Sequence, residues 1–102
     1  MRRALFTLSV LFLAGAVPAL AQSGEATPAT IVRNCFVCHG PEGVNPGPIP
    51  KLNGLAQDYI ELSLLQFKTD KRPGTIMNRI AKGFTDDQIR GVAKQMASYP
   101  KK

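Results

Sequence analysis

The sequence predicts an all-α fold with about three main helices, and three observations carry that prediction. Apolar residues recur near a period of 3.6 in two stretches, Leu55 to Phe67 and Ile89 to Met96, and Thr27-Pro28 signals a third helix start. No run alternates apolar and polar residues long enough to make a convincing strand. The segment PEGVNPGPIPKLNG, ending at Gly54, is too rich in proline and glycine for helix or central strand and reads as a stiff loop.

The chain of 102 residues opens MRRALFTLSVLFLAGAVPALAQ. Basic Arg2 and Arg3, an apolar run from Ala4 to Val17, a break at Pro18 and the small-x-small site Ala19-Leu20-Ala21 are the parts of a secretory signal peptide over residues 1–21. The run is too short, and too interrupted by Thr7 and Ser9, for the roughly 20 apolar residues of a membrane span, so no stable membrane insertion is expected after cleavage. Arg2-Arg3 alone does not make a twin-arginine signal. The mature chain is expected to begin at Gln22, outside the cytoplasm, with residues 22–28 as a flexible leader and residues 29–102 as one small domain. A domain of that size has a marginal core and usually depends on a disulfide, a metal or a cofactor.

In the first helix Thr27 is the predicted N-cap and Pro28 the first helical residue; Ile31, Cys35 and Cys38 then share one face. The second helix carries Ala56, Tyr59, Ile60, Leu64 and Phe67 inward and ends before Pro73-Gly74. The third begins at a capping box, Thr85 with Gln88, inside a hydrophobic staple of Phe84 on Ile89. It turns Ile89, Val92, Ala93 and Met96 inward and stops before Pro100.

Both cysteines and the single histidine fall in one motif, NCFVCHG, from Asn34 to Gly40. A structural zinc site takes four Cys or His ligands, and Cys35, Cys38 and His39 supply three at most. A thioredoxin-like pair needs a helix N-terminus to stabilise its thiolate, whereas this pair falls at a C-terminus, where the dipole opposes one. A disulfide closing so short a loop stabilises little and leaves the adjacent histidine unexplained. CxxCH is instead the signature of covalent haem c attachment, with Cys35 and Cys38 forming thioethers and His39 the proximal iron ligand. Export and small size agree with that reading.

With no second histidine, bis-histidine ligation within the chain is excluded. Beyond Met1 the methionines are Met77 and Met96. Met96 sits at core spacing and reads as packing, whereas Met77, in the irregular stretch RPGTIMNRI, is the candidate distal ligand. A lysine or an open position is the alternative.

CFVCHG, GPIPKLNG at 47–54, the rhythm of Tyr59, Leu64, Phe67 and Arg72, and TIMNRIAKGFTDDQI together resemble the small single-haem class I cytochromes c of the c4 and c-553 type, over Ala29 to Tyr99. Within that group the TIMNRIAKG stretch is similar to the cytochrome subunit of flavocytochrome c sulfide dehydrogenase. The resemblance implies a class I cytochrome c fold around one haem c. It also implies that the Pro50 carbonyl accepts a hydrogen bond from the proximal imidazole and that Leu52 packs on the proximal face. Two departures stand out: Ser63 occupies a position where such relatives often have Gln, and the terminal helix has no aromatic until Tyr99.

The expected function is single-electron transfer in the periplasm, with no catalysis of its own. The resemblance implies an FAD-containing flavoprotein subunit as partner, and since this chain has no dinucleotide fingerprint the flavin chemistry would lie on that other chain. A freely diffusing carrier between respiratory enzymes is the alternative, and a sensor with an open iron position a weaker third. Lys51, Lys68, Lys71, Arg72, Arg79 and Lys82 fall around the expected haem edge, as a solvated rim or as a docking face for an acidic partner. The net charge of +6, the few aromatics and the absence of a matching motif argue against nucleic-acid binding.

Overall fold

Thr27 starts the first helix as predicted: its hydroxyl accepts from the Thr30 amide at 3.3 Å, and Pro28 occupies the first turn, where its missing N–H costs nothing. The computed structural model describes residues 24–102 together with Gly15; apart from Gly15, the expected signal peptide lies outside the described residues. Helix α1 spans Pro28–His39, α2 Gln57–Lys68, α3 Met77–Ala81 and α4 Asp86–Ala97, with a short 3-10 turn at Pro41–Gly43. Among the described residues there is no strand, so the all-α expectation holds. No described helix is long and apolar enough to cross a membrane.

The core forms where α4 packs against both α1 and α2, around Ile31, Val32, Ile60, Val92, Ala93 and Met96. All four inward positions predicted for α4 are buried. The capping box is present in both directions: Gln88 N–H donates to the Thr85 hydroxyl at 3.1 Å, and Thr85 N–H to the Gln88 side chain at 2.9 Å. The aromatic absent from α4 is supplied just beyond its end by Tyr99, whose ring meets Phe36 of α1 edge-on at 5.2 Å and 77°. Such a pair contributes about 0.5–1.5 kcal/mol beyond its buried area.

Helix α1 crosses α4 closely because Gly91 has no side chain. A Cβ there would lie 2.7 Å from Cγ of Pro28. Gly91→Ala trades a small gain in helix propensity for a steric clash against a rigid ring. A net destabilisation of about 1–3 kcal/mol is expected in urea unfolding; an unchanged midpoint would show that the two helices part at no cost.

Three readings depart from expectation, the first being Ala56, expected on the inward face of the second helix but exposed at the N-cap of α2. Met77 belongs to a short helix, α3, rather than to an irregular stretch. Tyr59 does not enter the core: it is 47% exposed, with Arg72 near its ring.

Candidate functional site

Gly40 ends α1 with φ +86°, a left-handed conformation that glycine adopts without strain, and its N–H returns to the Phe36 carbonyl at 2.9 Å. A Cβ there would collide with the Val44 carbonyl. His39 is therefore the last helical residue, and the Cys38 carbonyl at this helix end accepts from the Asn45 side chain at 2.9 Å. The chain then loops to Gly54 and brings the Pro50 carbonyl back to His39, whose Nδ1 donates to it at 2.6 Å.

Cys35, Cys38 and His39 face a cavity of about 710 Å³, a volume suited to a cofactor-sized ligand. Its other walls come from Pro48 to Leu52 of the loop, from Tyr59, Ile60, Ser63, Leu64 and Phe67 of α2, and from Thr75, Ile76, Met77 and Ile80 around α3. Val92 and Met96 of α4 close the floor. All six sequence-predicted site residues, Cys35, Cys38, His39, Pro50, Leu52 and Met77, line this one cavity. Met96 lines it too, but only 3% exposed and within the core cluster.

Met77 is placed by the turn that precedes it. Asp70 adopts φ +57°, and the Lys71 and Arg72 amides return to the Gln66 carbonyl at 2.9 and 3.3 Å. Asn78 then bridges the turn, its amide donating to the carbonyls of Phe67 at 3.2 Å and Arg72 at 2.8 Å. The residue beside Met77 thus ties α3 to the end of α2.

Both thiols are free, and burial pushes that of Cys35 above its ordinary value. A hydrogen bond involving its own backbone opposes this, and neighbouring Cys38 adds to it. A redox-active or metal-bound thiolate needs the opposite shift. Among the described residues no cluster of three or more Cys, His, Asp or Glu could hold a bare metal ion. An apolar cavity of this size, with two thiols, an imidazole and a thioether on its walls, fits a flat apolar cofactor that takes nitrogen and sulfur donors.

Sequence reasoning placed Arg72 on the basic rim but did not join it to Tyr59 and Ser63 in one polar cluster. Arg72 donates to the Ser63 hydroxyl at 2.8 Å and to the Tyr59 hydroxyl at 3.4 Å, and its guanidinium lies 5.1 Å from the Phe67 ring centroid. The hydrogen bond from Arg72, reinforced by its charge, holds the Tyr59 hydroxyl below its usual pKa. The available signal was the helical spacing of Tyr59 and Ser63, which puts both on the face that meets the returning chain. The predicted basic rim is also partly committed within the chain: Lys68 pairs with Asp86 at 2.7 Å, Lys82 with Asp70 at 2.6 Å, and Lys51 donates to the Lys102 carbonyl at 2.5 Å.

No protein-family profile matches the chain. It is 34% identical over 87 residues to the cytochrome subunit of sulfide dehydrogenase from Chlorobaculum tepidum, an alignment covering 85% of this chain and 79% of that protein. It is 41% identical over 64 residues to cytochrome c-552 of Acidithiobacillus ferridurans, covering 63% of this chain and 28% of that protein. With cytochrome c4 of Thiocapsa roseopersicina the identity is 37% over 81 residues, 78% of this chain and 40% of that protein. An all-helical fold around an apolar cavity walled by CxxCH, joined to these similarities, places the chain among the class I c-type cytochromes. It is an electron-transfer protein of a family that carries haem c.

Proposed function

We propose that this chain is a periplasmic monohaem cytochrome and the haem subunit of a sulfide-oxidising flavocytochrome, taking single electrons from a flavin on a partner subunit. The observation that carries this reading is one of length. The chain spans 79% of the sulfide dehydrogenase cytochrome subunit but well under half of the c-552 and c4 proteins. The alternative, a diffusing carrier, draws on the c4 likeness.

Bound haem supplies the one-electron couple of its iron. Cys35 and Cys38, on one face of α1, would tether it through thioethers, and His39 and Met77 would supply the nitrogen and sulfur donors to its iron. His39 carries its proton on Nδ1 for Pro50, which fixes the ring and leaves Nε2 as the donor nitrogen. Leu52 and Met96 exclude water from the cavity walls. Donation by both Met77 and His39 would leave no position for substrate, which suits transfer rather than bond-making, and the thioether would raise the potential.

The partner would approach the cavity mouth, where Ile76, just before α3, and Ile80, within it, are 59% and 38% exposed and Arg79 precedes Ile80 on the same short helix. With Lys68 and Lys82 ion-paired, and Lys51 and Arg72 hydrogen-bonded within the chain, Arg79 and Lys71 are the rim cations best placed to meet an acidic face. Arg79→Glu is expected to slow reduction by the partner about tenfold at low salt, with the difference shrinking as salt rises; equal rates at both salts would remove this face from the docking surface.

Native purification tests the assignment. The expected result is co-elution with a flavoprotein and reduction by sulfide, with an exported chain beginning at Gln22. A haem protein that elutes alone and is reduced only by other donors would select the carrier reading.

A further inference from the structure

Asn53 is the one buried polar side chain among the described residues, 6% exposed, and it sits outside every helix. Its Nδ2 donates to the Glu42 and Pro100 carbonyls, each at 3.0 Å, and its Oδ1 accepts from the Lys102 amide at 2.7 Å. Its own N–H and that of Leu52 both donate to the Gly43 carbonyl, at 3.2 and 2.9 Å, closing the base of the loop. Two more contacts bind the same segment: Lys51 Nζ donates to the Lys102 carbonyl, and Lys102 Nζ pairs with the Glu42 carboxylate. Residues 100–102 are thus laced to both sides of the loop. The Pro50 carbonyl that holds His39 lies just three residues before Asn53.

We propose that Asn53, with residues 100–102, forms a latch that presses the Pro50 carbonyl onto His39, making Asn53 a positioning residue for the imidazole. The inference rests on the haem reading above. Between the 3-10 turn and Leu52 the loop has little backbone bonding of its own, so the place of the Pro50 carbonyl is set by how firmly Leu52 and Asn53 are held. A carbonyl close to Nδ1–H makes the imidazole a stronger donor to iron, which favours the oxidised state. A slackened latch lengthens that bond, weakens the donor and shifts the couple toward the reduced state.

The test uses haem-loaded protein and two readouts, a redox titration and the exchange rate of the His39 Nδ1 proton by NMR in the reduced state. Asn53→Ala is expected to raise the reduced-to-oxidised ratio at fixed ambient potential about threefold, equivalent to about 30 mV for one electron, and to speed Nδ1 proton exchange about tenfold. A chain ending at Pro100 loses only exposed residues and keeps Asn53; it should move both readouts in the same direction by less. Val32→Ala, buried between α1 and α4 and away from the cavity, should lower stability and move neither. Unmoved readouts in haem-loaded Asn53→Ala, or in the shortened chain if Asn53→Ala fails to fold, overturn the latch alone. A wild-type chain with no covalent haem overturns the haem reading and the latch together.

Discussion

Replacing Cys35 and Cys38 together by alanine is expected to abolish covalent retention of haem. From cells with a working attachment system, wild-type protein should give the two-thioether pyridine haemochrome spectrum and keep its colour through acid-acetone extraction. The double variant should lose its haem to the solvent, and its yield should fall by more than tenfold. Cofactor and fold are linked by size. A cavity of about 710 Å³ left unfilled, at about 24 cal/mol per Å³, costs on the order of 10 kcal/mol even if the walls partly collapse and water enters the mouth. That rivals the whole stability of a small domain, about 5–15 kcal/mol. Thioether haem persisting in the double variant would mean that attachment lies elsewhere.

The second large effect separates the two methionines. Oxidised wild-type protein should show the weak near-infrared band of a methionine sulfur on iron. Met77→Ala is expected to remove the band and lower the reduction potential, with little loss of packing, because Met77 is only half-buried at the start of α3. Met96→Ala should keep the band but cost about 2–5 kcal/mol in unfolding, since Met96 is 3% exposed among Val92, Ala93 and Ile31. The reverse pattern would exchange their roles.

What could be read from the chain in advance was local. Thr27-Pro28, the Thr85 and Gln88 box and the inward face of α4 are fixed within a turn or two, and all appear as expected. CxxCH is legible because its chemistry depends on spacing alone. Helix α3 was missed because five residues are too few to show a period. Tyr59 was placed inward by its period, yet its hydroxyl reaches Arg72, a partner 13 positions away that no local pattern announces. Asn53 is the extreme case, its amide oxygen bonded to a backbone N–H 49 positions further on. Such contacts come from topology, and single-sequence periodicity carries no trace of them.

The close crossing of α1 on α4 also bears on the order of assembly. Pro28 and Gly91 meet across about 60 intervening residues, and closing so long a flexible segment carries an entropic cost of several kcal/mol before any contact repays it. A chain emerging N-terminus first presents α1 and its cysteines long before α4 exists to cover them. On the proposed haem reading, the helix that carries Cys35 and Cys38 is therefore expected to be open to attachment while the C-terminal third is still unstructured. A cofactor fixed at that stage gives α2 and α4 an apolar surface to condense on, so folding of this cytochrome is expected to be nucleated from its N-terminal side rather than by the helix pair that later seals it.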